Sequence, residues 1–556
     1  MSDFPALKIA HLREYDTKNC DIRLPLTIKT KTGESIVKEI CGFVKHGETL
    51  AALKNSIVEN LIELNNKQSD EEDDLLLPEK ITVEFLKGKK PYKDSIVLQD
   101  FNKLTDEKYI KILDQTFSII SNTPLVKIVR LPLAICVNFP VEPSVFKTYN
   151  VHKPSSKFIW LKSKDKEIWE KVGEGFGYNV TKEDANHYLK FCCIPYSKFR
   201  VKGPMAEAIS EDLVDIISEF PQCPFEERHK LTNQRLKGIN VRVVSYNLLA
   251  DRYVDRDQFS CCPPRALGIH YRKQLTIKEL KGYNADIICL QEVDEIHYRS
   301  YYLQKFKEMG YKTHFNRKGN CIPEGLVCAY DMNRFKTLDY KHLVLRTAVQ
   351  RKQFHDVLTL LDYDEEVKQL FLKQNTSLQV LVLEDKNTKN ILVVGNTHLY
   401  YHPDADHIRL IQAFMTTTHL GNIKNSVIRE YKPNNIGIVF CGDFNSHYEK
   451  SLFGFMRTGT IDPEHKDCLK ISSEGKATIY SKLYLSCASG TPKYTNYTPD
   501  FKGCLDYIFV ETHRLATTRV IPVASEKELM KYIGLPNEVY PSDHLSLVVD
   551  LQFKSR

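Results

Sequence analysis

Along the first seventy residues, apolar and polar positions first alternate and then change period. The run 21–28 alternates through Ile22, Leu24, Leu26 and Ile28, and a second alternating run reaches Val44. A period of two is that of a strand with one buried face. From 48 to 66 the spacing becomes helical, with Leu50, Leu53, Ile57, Val58, Leu61 and Leu64 on one stripe. Two strands followed by an amphipathic helix predict a small α+β module over 1–125, β-grasp-like in type. The acidic run 69–74 within it predicts a solvated loop.

From 126 to 222 the signals are short strands. Phe158-Ile159-Trp160-Leu161 reads as a buried strand, and Tyr188 enters an alternating run after the turn Asp184-Ala185-Asn186-His187. A tyrosine at such a turn, with a strand tryptophan upstream, resembles the tyrosine corner of an immunoglobulin-like β-sandwich. Lys190 stands where an antibody-type domain has a cysteine, so the sandwich predicted here is disulfide-free. Residues 223–240, rich in charge and without an apolar period, predict a linker. From 241 to 556, strongly apolar strands at 241–245, 287–290, 391–396, 436–440, 505–510 and 545–551 alternate with helical stretches. That alternation predicts an α/β domain.

Composition narrows the class. At about 150 residues per domain, 556 residues exceed one domain. Hydrophobic residues at 42% and charged residues at 27% exclude a disordered, collagen-like or coiled-coil chain. No long, uninterrupted apolar stretch occurs, so no transmembrane helix is predicted. Against 71 acidic residues stand 78 basic ones, a net charge of +7. This mild excess suits a protein that handles a polyanion at one site. The 15 cysteines are scattered and form no C-x-x-C pair, which argues against zinc and for a reducing compartment. The first residues hold Asp3, Glu14 and Asp16, so neither a signal peptide nor an Arg-rich transit peptide is written there.

The chemistry sits at the strand ends. In order they carry Ser245-Tyr246-Asn247, Gln291-Glu292-Val293-Asp294, Asn396-Thr397-His398, Gly442-Asp443-Phe444-Asn445, Leu505-Asp506-Tyr507 and Ser542-Asp543-His544. One Asp or Asn after a strand is most often a turn former. Six such segments at the ends of successive strands converge on one rim, where α/β folds build sites. Carboxylate and amide oxygens without cysteine are hard ligands, suited to Mg²⁺ or Mn²⁺. With two histidines able to hold or deliver a proton, the set describes metal-assisted hydrolysis of a phosphate ester.

These motifs, in this order, resemble the endonuclease/exonuclease/phosphatase superfamily, and within it the deadenylase branch. The strings that carry the resemblance are 283–294, Asn396-Thr397-His398-Leu399-Tyr400, Ile408-Arg409-Leu410-Ile411-Gln412 and Tyr494-Thr495-Asn496-Tyr497. The likeness spans about 242–553 and is weaker over the N-terminal modules. It implies a four-layered α/β sandwich of the DNase I-like kind. It also implies a 3′-exoribonuclease that takes 2′,5′-linked oligoadenylates and the 3′,5′-linked poly(A) tails of RNA, releasing 5′-AMP. The location it implies is the mitochondrial matrix, with the cytoplasm as the alternative that the acidic N-terminus leaves open.

The resemblance assigns roles as well. Glu292 would be the principal Mg²⁺ ligand, Mn²⁺ being able to substitute, with Asn247, Asp543, Asp443 and Asn445 at or near the metal. Asp443 would deprotonate the attacking water and Asn445 would donate to a phosphate oxygen. Asp506 would hold His544 in one tautomer, His544 would stabilise the transition state or protonate the leaving oxygen, and His398 would contact the phosphate. Pro403 and Phe501 would clamp the adenine, and Glu324, in Glu324-Gly325, would lie beside the metal. Lys281, Arg409 and Lys502 are candidates to guide the phosphate chain. The shared motifs leave open a same-fold phosphoesterase acting on abasic DNA or phosphoinositides. A non-catalytic RNA-binding protein is the other alternative, and the intact set counts against it.

Overall fold

A computed structural model describes residues 8–14, 19–30, 33–45, 47–66, 75–78, 80–104, 107–216, 220–472 and 479–555. The acidic run 69–74, and residues 1–7 and 15–18 on which the reading of a leader partly rests, lie outside the described residues. The chain divides into two compact units, residues 1–132 with 138–214 and residues 133–137 with 215–556.

In the first unit, seven strands form one sheet: β1 (Lys8–Glu14), β2 (Asn19–Lys29), β3 (Ser35–Lys45), β4 (Val83–Lys87), β5 (Lys90–Pro91), β6 (Lys108–Ile112) and β7 (Gln115–Ser121). Their order is β3-β2-β1-β7-β6-β4-β5, with β1 and β7 parallel at the centre. Leu50, Leu53, Ile57 and Leu61 of the helix Leu50–Asn66 are buried with Leu24, Ile40 and Phe117 in one core, which is what the helical spacing demanded.

The remaining strands of this unit are β8 (Leu125–Arg130), β9 (Pro140–Val141), β10 (Val145–Tyr149), β11 (Lys157–Ser163), β12 (Glu170–Glu174), β13 (Tyr178–Asn179), β14 (Tyr188–Ile194) and β15 (Ala206–Ile209). They make one four-stranded sheet, β12-β11-β14-β15, and two two-stranded ladders, β10-β8 and β13-β9. Trp160 is fully buried and its indole N–H reaches the Gly175 carbonyl at 3.1 Å. The corner expected at Tyr188 is not built there. The buried carboxylate of Asp184 accepts instead from the Tyr178 hydroxyl at 2.6 Å, while Tyr188 lies half-buried with the Lys166 amine 4.1 Å from its ring centroid. Cys192 and Cys193 are free thiols.

The second unit stacks two six-stranded sheets. The first contains β16 (Asn240–Asn247), β17 (Ile287–Asp294), β18 (Tyr311–Lys318), β19 (Ile322–Asp331), β28 (Leu515–Ile521) and β29 (Leu547–Phe553). The second contains β20 (Phe335–Val344), β21 (Ser377–Asp385), β22 (Ile391–His398), β23 (Ile436–Asp443), β24 (Ser486–Cys487) and β27 (Asp506–Val510), the short ladder β25 (Asn496–Tyr497) and β26 (Lys502–Gly503) lying apart. The orders are β18-β19-β17-β16-β29-β28 and β20-β21-β22-β23-β27-β24. Val243, Cys289, Leu381, Val394, Val439, Ile508 and Val549 fill the space between the sheets. Helix Ile269–Gly282 covers the first sheet through Leu280, and helix Asp406–Tyr431 covers the second through Ile408 and Ile411. Four layers result, and strands buried on both faces read as continuous apolar runs for that reason.

Residues 223–240, expected as a linker, are instead packed into this unit. Within them the helix Phe225–Lys230 buries Phe225, and the Arg228 guanidinium donates to the Ser546 hydroxyl and carbonyl, each at 2.7 Å. Arg242 on β16 donates from Nη1 to the carbonyls of Thr232 and Gln234. Arg228 is the buried charge of this segment, while Glu227, Lys230, Arg235 and Lys237 stay exposed.

Candidate active site

Strand pairing brings the predicted residues together. His398 ends β22, Asp443 ends β23 and Asp506 begins β27; register makes His398 the neighbour of Asp443, and Asp443 the neighbour of Asp506. On the facing sheet Asn247 ends β16 opposite Gln291 of β17. Asn247, His398 and Asp443 thus close their strands, Asp506 opens β27 and Asp543-His544 precede β29, and the two sheets meet at one rim. Asn247 crosses between them, its Nδ2 donating to Asp443 Oδ2 at 3.0 Å while its Oδ1 accepts from the Leu249 amide.

Glu292 reaches the rim through a bulge. Leu290 pairs with Val327 and Val293 with Gly325, so Gln291 and Glu292 together face Leu326 alone. Glu292 sits at φ +53°, a left-handed conformation uncommon outside glycine and costly for a glutamate. A bulge bends its strand and re-aims a side chain. Here it sends the Glu292 carboxylate to the Ala250 amide at 3.1 Å and to within 3.9 Å of His398 Nδ1. Gly325 cannot carry a side chain, because a Cβ there would collide with the Asn316 carbonyl. Gly442, before Asp443, is held to glycine in the same way by the Thr397 carbonyl.

The site is buried and acidic. Burial, and then repulsion from Glu324 and Asp543, pushes the Glu292 carboxyl up to about 8. Burial and Asp506 raise Asp443 to about 6, against the pull of His544. His398 is held neutral, well below its ordinary value, by burial and by the charges of Lys318 and His544. His544 is the reverse case. Burial opposes its charge, but Asp506, Asp543 and Asp443 outweigh burial and hold it well above its usual value. Its Nδ1 meets Asp506 Oδ2 at 2.7 Å, and its Nε2 lies 3.7 Å from Asp443 Oδ2.

The remaining predicted residues divide. Asn445, at φ +49°, donates its amide N–H to the Asp443 carboxylate at 2.9 Å and from Nδ2 to the Leu399 carbonyl at 3.1 Å; an amide nitrogen has a second N–H to offer. Asp543 accepts from Asn496 Nδ2 at 3.0 Å. Glu324 is buried, with the Tyr253 hydroxyl at 3.1 Å and Lys318 Nζ at 3.5 Å. Pro403 and Phe501 are exposed, Phe501 at 48%, with its ring over Gly503. Arg409 is no phosphate guide: it is buried and ties its own loop, donating to the carbonyls of Tyr400, His402 and Pro403 and pairing with Asp406 at 2.7 Å.

Two residue sets went unassigned by the sequence argument. Asn496 and Thr495 lie in the quoted Tyr494–Tyr497 string; Thr495 Oγ1 accepts from the amides of Leu505 and Asp506. Arg272 had no motif signal. Its buried guanidinium donates to the carbonyls of Leu248, Leu249 and Pro541, tying the turn after Asn247 to the approach to Asp543.

The donor set fits a hard divalent cation. Among the described residues, ligand atoms of Asp443, Asp506 and His544 lie within 4.8 Å of one another. A protonated His544 bonded to Asp506 has no lone pair for a metal, so this trio reads better as an acid–base relay. Glu324 and Asp543 raise the Glu292 carboxyl more than Lys318 and His544 lower it, and a bound cation would invert that penalty.

Comparisons with known proteins follow the same line. The family model described as Endonuclease/Exonuclease/phosphatase family matches residues 244–544. The 2′,5′-phosphodiesterase 12 of Bos taurus is 31% identical over 495 residues, covering 83% of this chain and 79% of its own. The CCR4-Not complex 3′-5′-exoribonuclease subunit Ccr4 of Schizosaccharomyces pombe is 30% identical, covering 57% of this chain and 50% of its own. A solved structure of ANGEL2, a 2′,3′-cyclic phosphatase, in complex with adenosine-2′,3′-vanadate overlaps at a TM-score of 0.48 and 23% identity, covering 58% of this chain and 97% of that one.

Proposed function

Because the chain belongs to the endonuclease/exonuclease/phosphatase family, and is a phosphodiesterase/exoribonuclease hydrolase, we propose that it removes adenosine nucleotides one at a time from 2′,5′-linked oligoadenylates and from 3′,5′-linked poly(A), releasing 5′-AMP. The observation that carries the reading is the meeting of two sheets at Asp443, whose Oδ2 accepts from Asn247 Nδ2 and lies 3.7 Å from Nε2 of both His398 and His544. The choice of adenylate substrates is supported by the relatives named for 2′,5′-phosphodiester and 3′-5′-exoribonuclease activity.

Asp443 is the general base. It is ionised at neutral pH and oriented by Asn247 and the Asn445 amide, so it can take the proton of a water attacking phosphorus. His544, charged and held by Asp506, stabilises the negative charge that grows on the phosphoryl oxygens, and its Nε2 proton passes to the ribose oxygen as the P–O bond to it breaks. The free N–H of Asn445 donates to the same oxygens, and neutral His398 adds a hydrogen bond. A divalent cation, Mg²⁺ or Mn²⁺, would be held by Glu292 with Asp543, Asn247 and Glu324 beside it, and when bound would supply Lewis-acid stabilisation of the phosphate. Phe501 offers an exposed aromatic face on which a base can stack.

The test supplies 2′,5′- and 3′,5′-linked oligoadenylate side by side, with Mg²⁺, with EDTA and with Asp443→Ala. Release of 5′-AMP that needs both the metal and Asp443 is expected. Folded protein that cleaves neither substrate would exclude the reading and direct attention to abasic DNA and phosphoinositides.

A further inference from the structure

The bulge that turns Glu292 into the rim is gripped from the opposite sheet. Leu290 and Val327 are the last regular pair of β17 and β19 before the register shifts. Nδ2 of Asn396, on β22, donates to the carbonyls of both, at 3.0 and 3.1 Å. Its Oδ1 accepts from Gln291 Nε2 at 2.8 Å, and Gln291 Nε2 lies 3.3 Å from the Ser245 hydroxyl on β16. Asn396, Gln291 and Ser245 are all fully buried.

Around them the space between the sheets is filled by Cys289, Cys328, Val394 and Cys441. Polar side chains in such a core are costly unless hydrogen-bonded. The residue types suit the task. A bulge disrupts the ladder and leaves backbone groups to be satisfied, and a carboxamide offers two N–H donors beside one acceptor. A leucine would fill the volume and leave both carbonyls without that donor; an aspartate would set a carboxylate against them.

We propose that Asn396 and Gln291 form a cross-sheet amide clip that fixes the Gln291–Glu292 bulge and so positions Glu292 for divalent-cation binding. Both are positioning residues, acting through Glu292. The clip rests on the reading of Glu292 as a metal ligand. It also ties the strand that ends in His398 to the strand that bears Glu292, so the two sheets are locked at the level of the site.

The test measures Mn²⁺ binding, by the paramagnetic resonance signal of free Mn²⁺, to the full chain without substrate. Wild type is compared with Asn396→Leu, Gln291→Met and Val382→Ala. Val382 is a buried core residue of β21, so its truncation reports loss of stability alone. Both clip variants should bind Mn²⁺ about tenfold or more weakly, the usual effect of removing a residue that orients a metal ligand. Val382→Ala should melt at lower temperature and bind Mn²⁺ as wild type does. Folded clip variants with wild-type affinity would overturn the proposal, as would an equal loss of affinity in Val382→Ala. Should Asn396→Leu fail to fold, Gln291→Met decides, since it keeps both donors of Asn396. A wild-type chain that binds no Mn²⁺ overturns the metal role of Glu292, and the clip's role with it, whichever phosphodiester the enzyme cleaves.

Discussion

Asp506→Asn isolates the charge behind His544. The replacement keeps the shape, and its amide oxygen can still accept from Nδ1–H, so the ring keeps its place. What it removes is a carboxylate 2.7 Å from the imidazole nitrogen, with both side chains buried. Unit charges centred roughly 4 Å apart interact by about 4 kcal/mol at an effective dielectric of about 20. Asp543 and Asp443 also favour the charged ring and remain, so part of that interaction is kept. A net loss of about 3 kcal/mol corresponds to on the order of a hundredfold in rate. Asp506 sits on the Nδ1 side, whereas the substrate meets Nε2, so the loss belongs to kcat and KM should barely move. Initial rates of 5′-AMP release at saturating Mg²⁺ measure this, with circular dichroism to confirm the fold. A kcat near that of wild type, or a raised KM at unchanged kcat, would refute the assignment of Asp506 and His544 as a pair.

Phe501→Ala should raise KM for oligoadenylates roughly five- to a hundredfold with kcat largely kept, because a stacked base contributes ~1–3 kcal/mol; steady-state kinetics checks it, and an unchanged KM removes Phe501 from the substrate site. Arg242→Met strands Asp550, which now accepts from Arg242 Nε at 2.6 Å and Nη2 at 3.0 Å. Urea unfolding should show a loss of about 3–5 kcal/mol, recovered in part in Arg242→Met/Asp550→Leu, where the carbonyls of Thr232, Gln234 and Tyr283 still lack the guanidinium donor. Stability should also fall in acid. Burial first, then neighbouring cations, lowers His270 to about 3 and His419 to about 4. Unfolded imidazoles take up protons near 6.5 while these do not, so the stability they contribute is complete above that pH and is lost as pH falls through the window to 3–4. At pH 5 the loss is about 2 kcal/mol for each. Unfolding midpoints in His270→Gln should be less sensitive between pH 7.5 and 5, and an unchanged slope would contradict this.

Much of the architecture was legible because local pattern and tertiary environment agree. Strands such as β16, β22 and β23 are buried on both faces, so their apolar runs stand out without reference to any neighbour. The helix Leu50–Asn66 carries its buried stripe in plain spacing. The motif residues were legible because carboxylates, amides and imidazoles clustered at apolar strand ends have little structural reason to recur six times. Where composition misled, the cause was its silence about direction. The charges of 223–240 suggested solvated chain, but Arg228 points into the unit; Arg409 suggested a phosphate contact, but binds its own loop. Tyr188 has the sequence setting of a corner, yet Tyr178 has the contact with Asp184.

What the sequence by itself determined was the inventory: apolar strands, the helices that cover them, and a set of hard ligands and proton carriers at the strand ends. Tertiary structure alone decided how that inventory works. Asp443 is flanked by His398 and Asp506 only because β22, β23 and β27 are adjacent in register, and it meets Asn247 only because two sheets close on one rim. Asn396 and Gln291 are 105 positions apart, and nothing local to either could show that one grips the bulge beside the other. The physical reason is the same in each case. Strand identity follows from the periodicity of a short window, whereas bulges, register and cross-sheet hydrogen bonds follow from the cost of leaving buried polar groups unpaired, and the partners that relieve it lie anywhere in the chain.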